Sequence, residues 1–260
     1  MIPDFKSYWC GSGLVKGDTV LLHSSMRRLL KFLAELKIAD PPRVVLESLL
    51  NHIGGKGTLV LPLFNFDFPK TQFYSVISTP SQMGIITEYA RLNFSGVQTY
   101  HPIYPFYIIG NNENEFENIN NLSGYGADSP FAKIISLEGK VAVVDLPDSR
   151  CMTFYHHVEE MCQVPYRFYK NFSGYYQKVD STIEFRTYEL YVRNLAEGVI
   201  TNVDRMGEIL WREHLYKGNK PGFGNGMRTI HAKTLFARTR KEILEGRAIN
   251  TLYSIEKQKN

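Results

Sequence analysis

The chain has 260 residues, of which 43% are hydrophobic and 22% charged, so it can build a sizeable core and is not a disordered polymer. Its 30 basic and 26 acidic side chains leave a net charge of +4 with no dense basic run, which argues against nucleic-acid binding through a concentrated cationic patch. Cys10, Cys151 and Cys162 are an odd number without paired spacing, which argues against a disulfide framework or a structural zinc site and points to a reducing compartment. Met1–Lys6 lacks the basic segment and apolar run of a signal peptide, and no apolar stretch approaches the roughly 18 residues of a membrane span. The expectation is a cytoplasmic protein without membrane insertion.

In chain order, Gly17-Asp18 is a turn before a buried strand at Thr19–His23. Ser24 and Ser25 then precede a helical run from Met26 and read as its N-caps. Pro41-Pro42 opens a helix through about Asn51. Gly54–Gly57 turns into a second buried strand, Thr58–Pro62; because a strand follows, the Gly-Lys pairing is not a phosphate-binding P-loop. Thr79 or Ser81 is expected to cap a helix over Ile85–Arg91, with Pro80 near its first turn. A loop and strand cover Ser95–Gly110, a polar loop or exposed helix Asn111–Asn121, and a short helix Ser129–Ile135. Lys140–Asp145 is a third buried strand. Beyond it, Thr182–Val192 reads as strand, Leu195–Glu213 carries helix signals, and Lys217–Gly226 is a glycine-rich loop or hairpin turn. Ile230–Ala237 looks extended and Ala237–Leu244 helical. Short buried strands alternating with helices imply a layered α/β fold, and the later strands favour a mixed sheet. No repeat or linker calls for a second domain, so residues 1–260 are read as one unit.

The densest chemical signal is Cys151-Met152-Thr153-Phe154-Tyr155-His156-His157-Val158-Glu159-Glu160-Met161. On a helix, His156 and Glu159 share a face, so the carboxylate can reach the imidazole. A carboxylate on one ring nitrogen fixes the tautomer and supports positive charge, leaving the other nitrogen free to take a proton. A surface ion pair gives the same spacing, but the apolar neighbours Phe154, Tyr155, Val158 and Met161 place this helix inside. His157 points roughly 100° away and reads as structural. Cys151 and Cys162 are weak nucleophile candidates, because nothing nearby lowers a thiol pKa. No further His, Asp or Glu cluster has metal-ligand spacing, so no metal is expected.

Several motifs then line up in order: His23-Ser24-Ser25-Met26, Gly55–Pro62, Thr79-Pro80-Ser81-Gln82-Met83-Gly84, His101-Pro102, Ser129-Pro130-Phe131 and Thr153–Glu160. Together, over residues 15 to 170, they resemble the aminoglycoside 3-N-acetyltransferase family. The resemblance implies a single α/β domain around a mixed sheet, distinct from GNAT acetyltransferases. It also implies direct acyl transfer from acetyl-CoA to an amine, with His156 and Glu159 as the catalytic pair. Thr153 or nearby backbone N–H groups would donate to the oxyanion. Ser24, Ser25 and Met26, with Thr79, Ser81 and Met83, are the expected coenzyme A contacts, since helix N-termini bind phosphate. Asp67, His101 and Tyr104 are the expected acceptor contacts, with residues from about 171 to 260 contributing to that side.

Tyr104-Pro105 stands where antibiotic-modifying relatives tend to carry His-Ser, and no acidic cluster suited to a polycationic drug is visible. The expected acceptor is therefore an anionic, nucleotide-linked amino sugar from surface-polysaccharide synthesis. The alternatives are an aminoglycoside acceptor, and a non-catalytic coenzyme A-binding scaffold. A homo-oligomer is compatible with the sequence.

Overall fold

Apolar runs at Thr19–Ser24 (β1), Thr58–Pro62 (β2) and Lys140–Val144 (β6) pair in parallel, with β1 between the other two. Strands this uniformly apolar need cover on both faces. Successive side chains point to opposite faces, and the packing follows that alternation. Leu21, Val60, Val141 and Val143 face one layer, whereas Val20, Leu22, Leu59, Leu61, Ala142 and Val144 face the other.

The computed structural model describes residues 5–256; Met1–Asp4, read above for a leader, lie outside the described residues. One layer holds Lys6–Cys10 (α1), Arg27–Glu35 (α2), Pro41–Ile53 (α3) and Ile85–Asn93 (α5). Phe68–Thr71 (α4) is a single turn following β2. The opposite layer holds Pro130–Ser136 (α6), Phe154–Met161 (α7), Asp204–Arg212 (α8) and Ala232–Leu244 (α9). The remaining strands are Phe73–Ser75 (β3), Val97–Gln98 (β4), Phe106–Gly110 (β5), Arg167–Gln177 (β7), Ile183–Arg193 (β8), Val199–Thr201 (β9), Lys217–Gly218 (β10), Met227–His231 (β11) and Tyr253–Ile255 (β12). The main sheet runs β10-β11-β6-β1-β2-β5-β4 and is mixed, because β5 and β11 run antiparallel to their inner neighbours. A layered α/β fold around a mixed sheet is thus what the chain forms. Beside it, β7 and β8 make a long antiparallel hairpin extended by β3, and β9 pairs with β12.

Three local expectations are corrected. Strand β1 runs on through Ser24, and Ser25 N–H donates to the Val144 carbonyl, so the serines extend the sheet edge and α2 starts at Arg27 without a side-chain cap. Neither Thr79 nor Ser81 is the cap of α5: Gly84, at φ +106°, occupies that position. Thr79 Oγ1 instead accepts from Ser75 N–H at 2.8 Å, and Ser81 N–H donates to Glu88 at 2.8 Å. The last helix begins at Ala232, not near Ala237, because Ala232, Leu235 and Thr239 form its buried stripe from the end of β11 onward.

Two core histidines test this packing. His101 Nδ1 lies 3.2 and 3.1 Å from the donating N–H groups of Ile103 and Tyr104, so its hydrogen sits on Nε2 facing the Glu189 carbonyl. Burial lowers His101 and His23 from 6.5 to about 3. Between those values the unfolded chain binds protons that the folded chain refuses, so stability is present at neutral pH and lost as pH falls. Each ring contributes at most about 1.4 kcal/mol per pH unit below its unfolded value. The urea midpoint is expected to drop between about pH 7.5 and about pH 5; a flat midpoint would contradict the burial.

Candidate active site

Helix α7 carries the central pair and is tied down along its length. At its start, Asp148 accepts from Tyr155 Oη at 2.6 Å, Tyr216 Oη at 2.8 Å and Arg228 Nη2 at 2.7 Å, locking the helix to β11. In the middle, His157 Nδ1 donates to the Tyr125 carbonyl at 2.7 Å, the structural role expected of it. Near its end, Ser123 Oγ donates to Glu160 at 2.7 Å. These contacts pull the 121–126 loop onto α7 and seat the Tyr125 ring 5.3 Å from the His156 ring.

His156 Nδ1 lies 2.8 Å from Glu159 Oε2, one helical turn on. Glu159 is 1% exposed and the His156 side chain 19%, so the carboxylate is sealed while the ring reaches a cleft. The sequence reading missed Arg167, the first residue of β7, which lies at the same place: its Nε is 2.8 Å from Glu159 Oε2 and its Nη2 is 2.7 Å from His156 Nδ1. Its Nη1 donates to the Tyr191 carbonyl at 3.0 Å, anchoring one corner of the fork. Burial, and then the Arg167 charge, lower the His156 pKa; Glu159 opposes them. A lowered pKa favours the neutral ring, the form a general base needs. Burial alone would raise Glu159, but Arg167 and His156 hold it below the ordinary carboxylate value.

Two cavities accompany this cluster. The first, of about 480 Å³, lies at the ends of β1, β2 and β6, lined by His23, Ser24, Ser25, Met26, Met83 and Arg150 among others. There the chain leaving β1 turns toward β2 and the chain leaving β6 turns toward β11 on the other side, the switch point at which α/β sheets bind ligands. Arg27 and Arg150 reach into it, and neither is ion-paired among the described residues. His23 Nε2 is buried there without a hydrogen-bond partner. The second cavity, of about 530 Å³, contains His156, Arg167, Tyr104 and Tyr125, with Lys170 and Arg193 from the hairpin.

Four of the six expected coenzyme A contacts, Ser24, Ser25, Met26 and Met83, therefore share the first cavity; Thr79 and Ser81 line neither. Tyr104 joins His156 in the second cavity. Asp67 lies outside both, accepting from Gln82 Nε2 at 2.6 Å, and His101 is buried behind Tyr104. Thr153 precedes α7, and its hydroxyl makes no capping bond to the helix. Cys151 is buried and donates to the Pro147 carbonyl, and burial pushes its thiol well up, away from a nucleophile. Among the described residues no group of three or more His, Cys, Asp or Glu is placed to hold a metal.

A switch-point cavity beside a half-sealed His–Glu–Arg cluster defines an α/β protein equipped to bind a ligand and move a proton. The family model for aminoglycoside 3-N-acetyltransferases matches residues 21–242, and the chain belongs to that family. Aminoglycoside N(3)-acetyltransferase VII of Streptomyces paromomycinus is 26% identical over 59% of this chain; the match spans 58% of that relative's length. Among solved structures, "AAC-IIIb binary with CoASH" superposes with a TM-score of 0.75 at 15% identity, covering 93% of this chain and 95% of that one. "AAC-VIa bound to Sisomicin" gives a TM-score of 0.76 at 16% identity, covering 95% and 98%. At these identities the two structures establish a shared fold.

The Glu159–Arg167 contact is open to a double-mutant test. Glu159→Ala leaves a buried, unpaired guanidinium and is expected to cost about 3–5 kcal/mol of stability. Adding Arg167→Leu is expected to recover a large part of that loss in urea denaturation. Strictly additive losses would show that the two side chains do not interact.

Proposed function

We propose that this chain is an acetyl-CoA-dependent N-acetyltransferase for a primary amine on an amino sugar. The observation that carries the reading is His156, neutral, braced by Glu159 and reaching a cleft. With its hydrogen on Nδ1 toward Glu159, its Nε2 can take a proton from the amine as the nitrogen attacks the thioester carbonyl. The carbon–sulfur bond then breaks, and the proton passes to the departing thiolate, so the ring returns to its starting form. The thioester's coenzyme A is a substrate, and the residues around the switch point suit it. Arg27 and Arg150 supply charge for phosphates, and the Ser24-Ser25-Met26 segment supplies polar edge. The whole chain works as one unit in this reading, and the cleft lining from Leu190 to Thr201 supports a share for residues 171–260 on the acceptor side.

For the acceptor, the family and the relatives' names favour an aminoglycoside over the nucleotide-linked amino sugar expected from sequence. One observation favours that second reading. Arg167, Lys170 and Arg193 line the cleft without a carboxylate among the lining residues, and only Arg167 is ion-paired among the described residues. A non-catalytic scaffold has less support, because it has no use for a braced, cleft-facing imidazole.

His156→Ala is expected to lower kcat roughly 100- to 10,000-fold while coenzyme A still binds. Retained turnover would contradict the assignment. Arg27→Gln with Arg150→Gln is expected to weaken coenzyme A at least about tenfold and to spare a phosphate-free pantetheine thioester. Equal weakening of both ligands would remove the arginines from phosphate binding. A panel with sisomicin and a nucleoside-diphosphate amino sugar decides the acceptor. The aminoglycoside reading expects turnover of sisomicin. Preference for the sugar nucleotide, lost in Arg193→Glu, would establish the second reading instead.

A further inference from the structure

Two groups converge on one nitrogen: Glu159 Oε2 is 2.8 Å and Arg167 Nη2 2.7 Å from His156 Nδ1. In a neutral imidazole that nitrogen carries either a hydrogen or a lone pair, so it bonds one of the two at a time. If it accepts from Arg167, the ring hydrogen sits on Nε2, which then has no lone pair for a substrate proton. If it donates to Glu159, Nε2 is free to act as a base.

A second observation offers Arg167 a different partner in that case. Its Nε is 2.8 Å from Glu159 Oε2 yet misaligned for a hydrogen bond, and Glu159 Oε1 and the neighbouring Tyr166 hydroxyl are buried without an aligned bond. A guanidinium matches a carboxylate with two parallel bonds, so a small turn of the fork can pair Nε with Oε1 and leave the ring to Glu159. The Tyr191 carbonyl anchors the far corner of the fork, so the turn needs no large displacement.

We propose that Arg167 is a positioning residue that sets the tautomer and basicity of His156. Resting against the ring, it holds the unproductive tautomer; engaged with Glu159, it releases the productive one. Charge acts in the same sense. Glu159 from α7 is neutralised by Arg167 from β7, and Arg193 of β8, directly opposite Arg167 in the ladder, adds a further positive charge. Tyr125, from the 121–126 loop, faces the ring from the remaining side. The imidazolium therefore forms against two guanidiniums and beside one shared carboxylate.

This inference rests on His156 being the base, and its test separates the two claims. Nitrogen-15 NMR of histidine-labelled protein reads the ring directly, without substrate. Wild type is expected to titrate below about 6.5, with its hydrogen largely on Nε2. In Arg167→Gln, the pKa is expected to rise by roughly one to two units, with the hydrogen moving to Nδ1. The acid limb of kcat/KM should move up with it, and Arg167→Lys, which keeps the charge, should leave the limb nearly in place. Unchanged ring signals in folded Arg167→Gln would overturn the assignment. So would a wild-type ring with its hydrogen wholly on Nδ1, a result that requires no variant to fold. If wild type transfers no acetyl group to any amine, the catalytic reading fails while the NMR result stands or falls by itself.

Discussion

Glu159 carries a negative charge into a place that water does not reach, and such a charge persists only if paired and hydrogen-bonded. Its two partners come from different parts of the chain: an imidazole one turn along the same helix, and a guanidinium at the mouth of the β7–β8 hairpin. The pairing thus joins the helical layer to the hairpin. It also decides which side of the ring faces protein and which is left for chemistry. Loss of either partner leaves a buried charge exposed to an apolar wall, so the same contact serves stability and reactivity.

Around this cluster the fold supplies two spaces with different characters. The switch-point cavity is polar along the end of β1 and carries two arginines without acidic partners among the described residues, a setting for a phosphorylated ligand. The cleft at His156 is framed by Tyr104, Tyr125 and the hairpin, and its aromatic rings suit the flat faces of a sugar. No described residue lines both, and a series of ring contacts runs from His23 in the first through Phe64 to Tyr104 and Tyr125 in the second. Acyl transfer requires the donor's sulfur end and the acceptor amine to meet at the imidazole.

The parallel core was legible because uninterrupted apolar runs such as Val20–Leu22 and Val141–Val144 have few other solutions. The His156–Glu159 contact was legible because helical spacing dictates it. Arg167 was not: it is eight positions beyond Glu159 on another element, and only the turn after α7 brings it back. The hairpin was half seen, because β7 has no regular apolar alternation and most of its residues are exposed or half-buried. The serine caps failed for a simple reason. Residues such as Ser24 and Ser25 signal a helix start only when the strand ends before them, and pairing with β6 carried β1 one residue further. The cationic lining stayed out of reach, since Arg167, Lys170 and Arg193 meet at one cleft only through the pairing of β7 with β8.

The most direct test of the whole account is a structure with coenzyme A and an amino-sugar acceptor bound together. The account expects the phosphates beside Arg27 and Arg150, and the acceptor nitrogen within about 3 Å of His156 Nε2, facing the sulfur end. Coenzyme A bound away from the switch point, or an imidazole out of reach of both ligands, would contradict it.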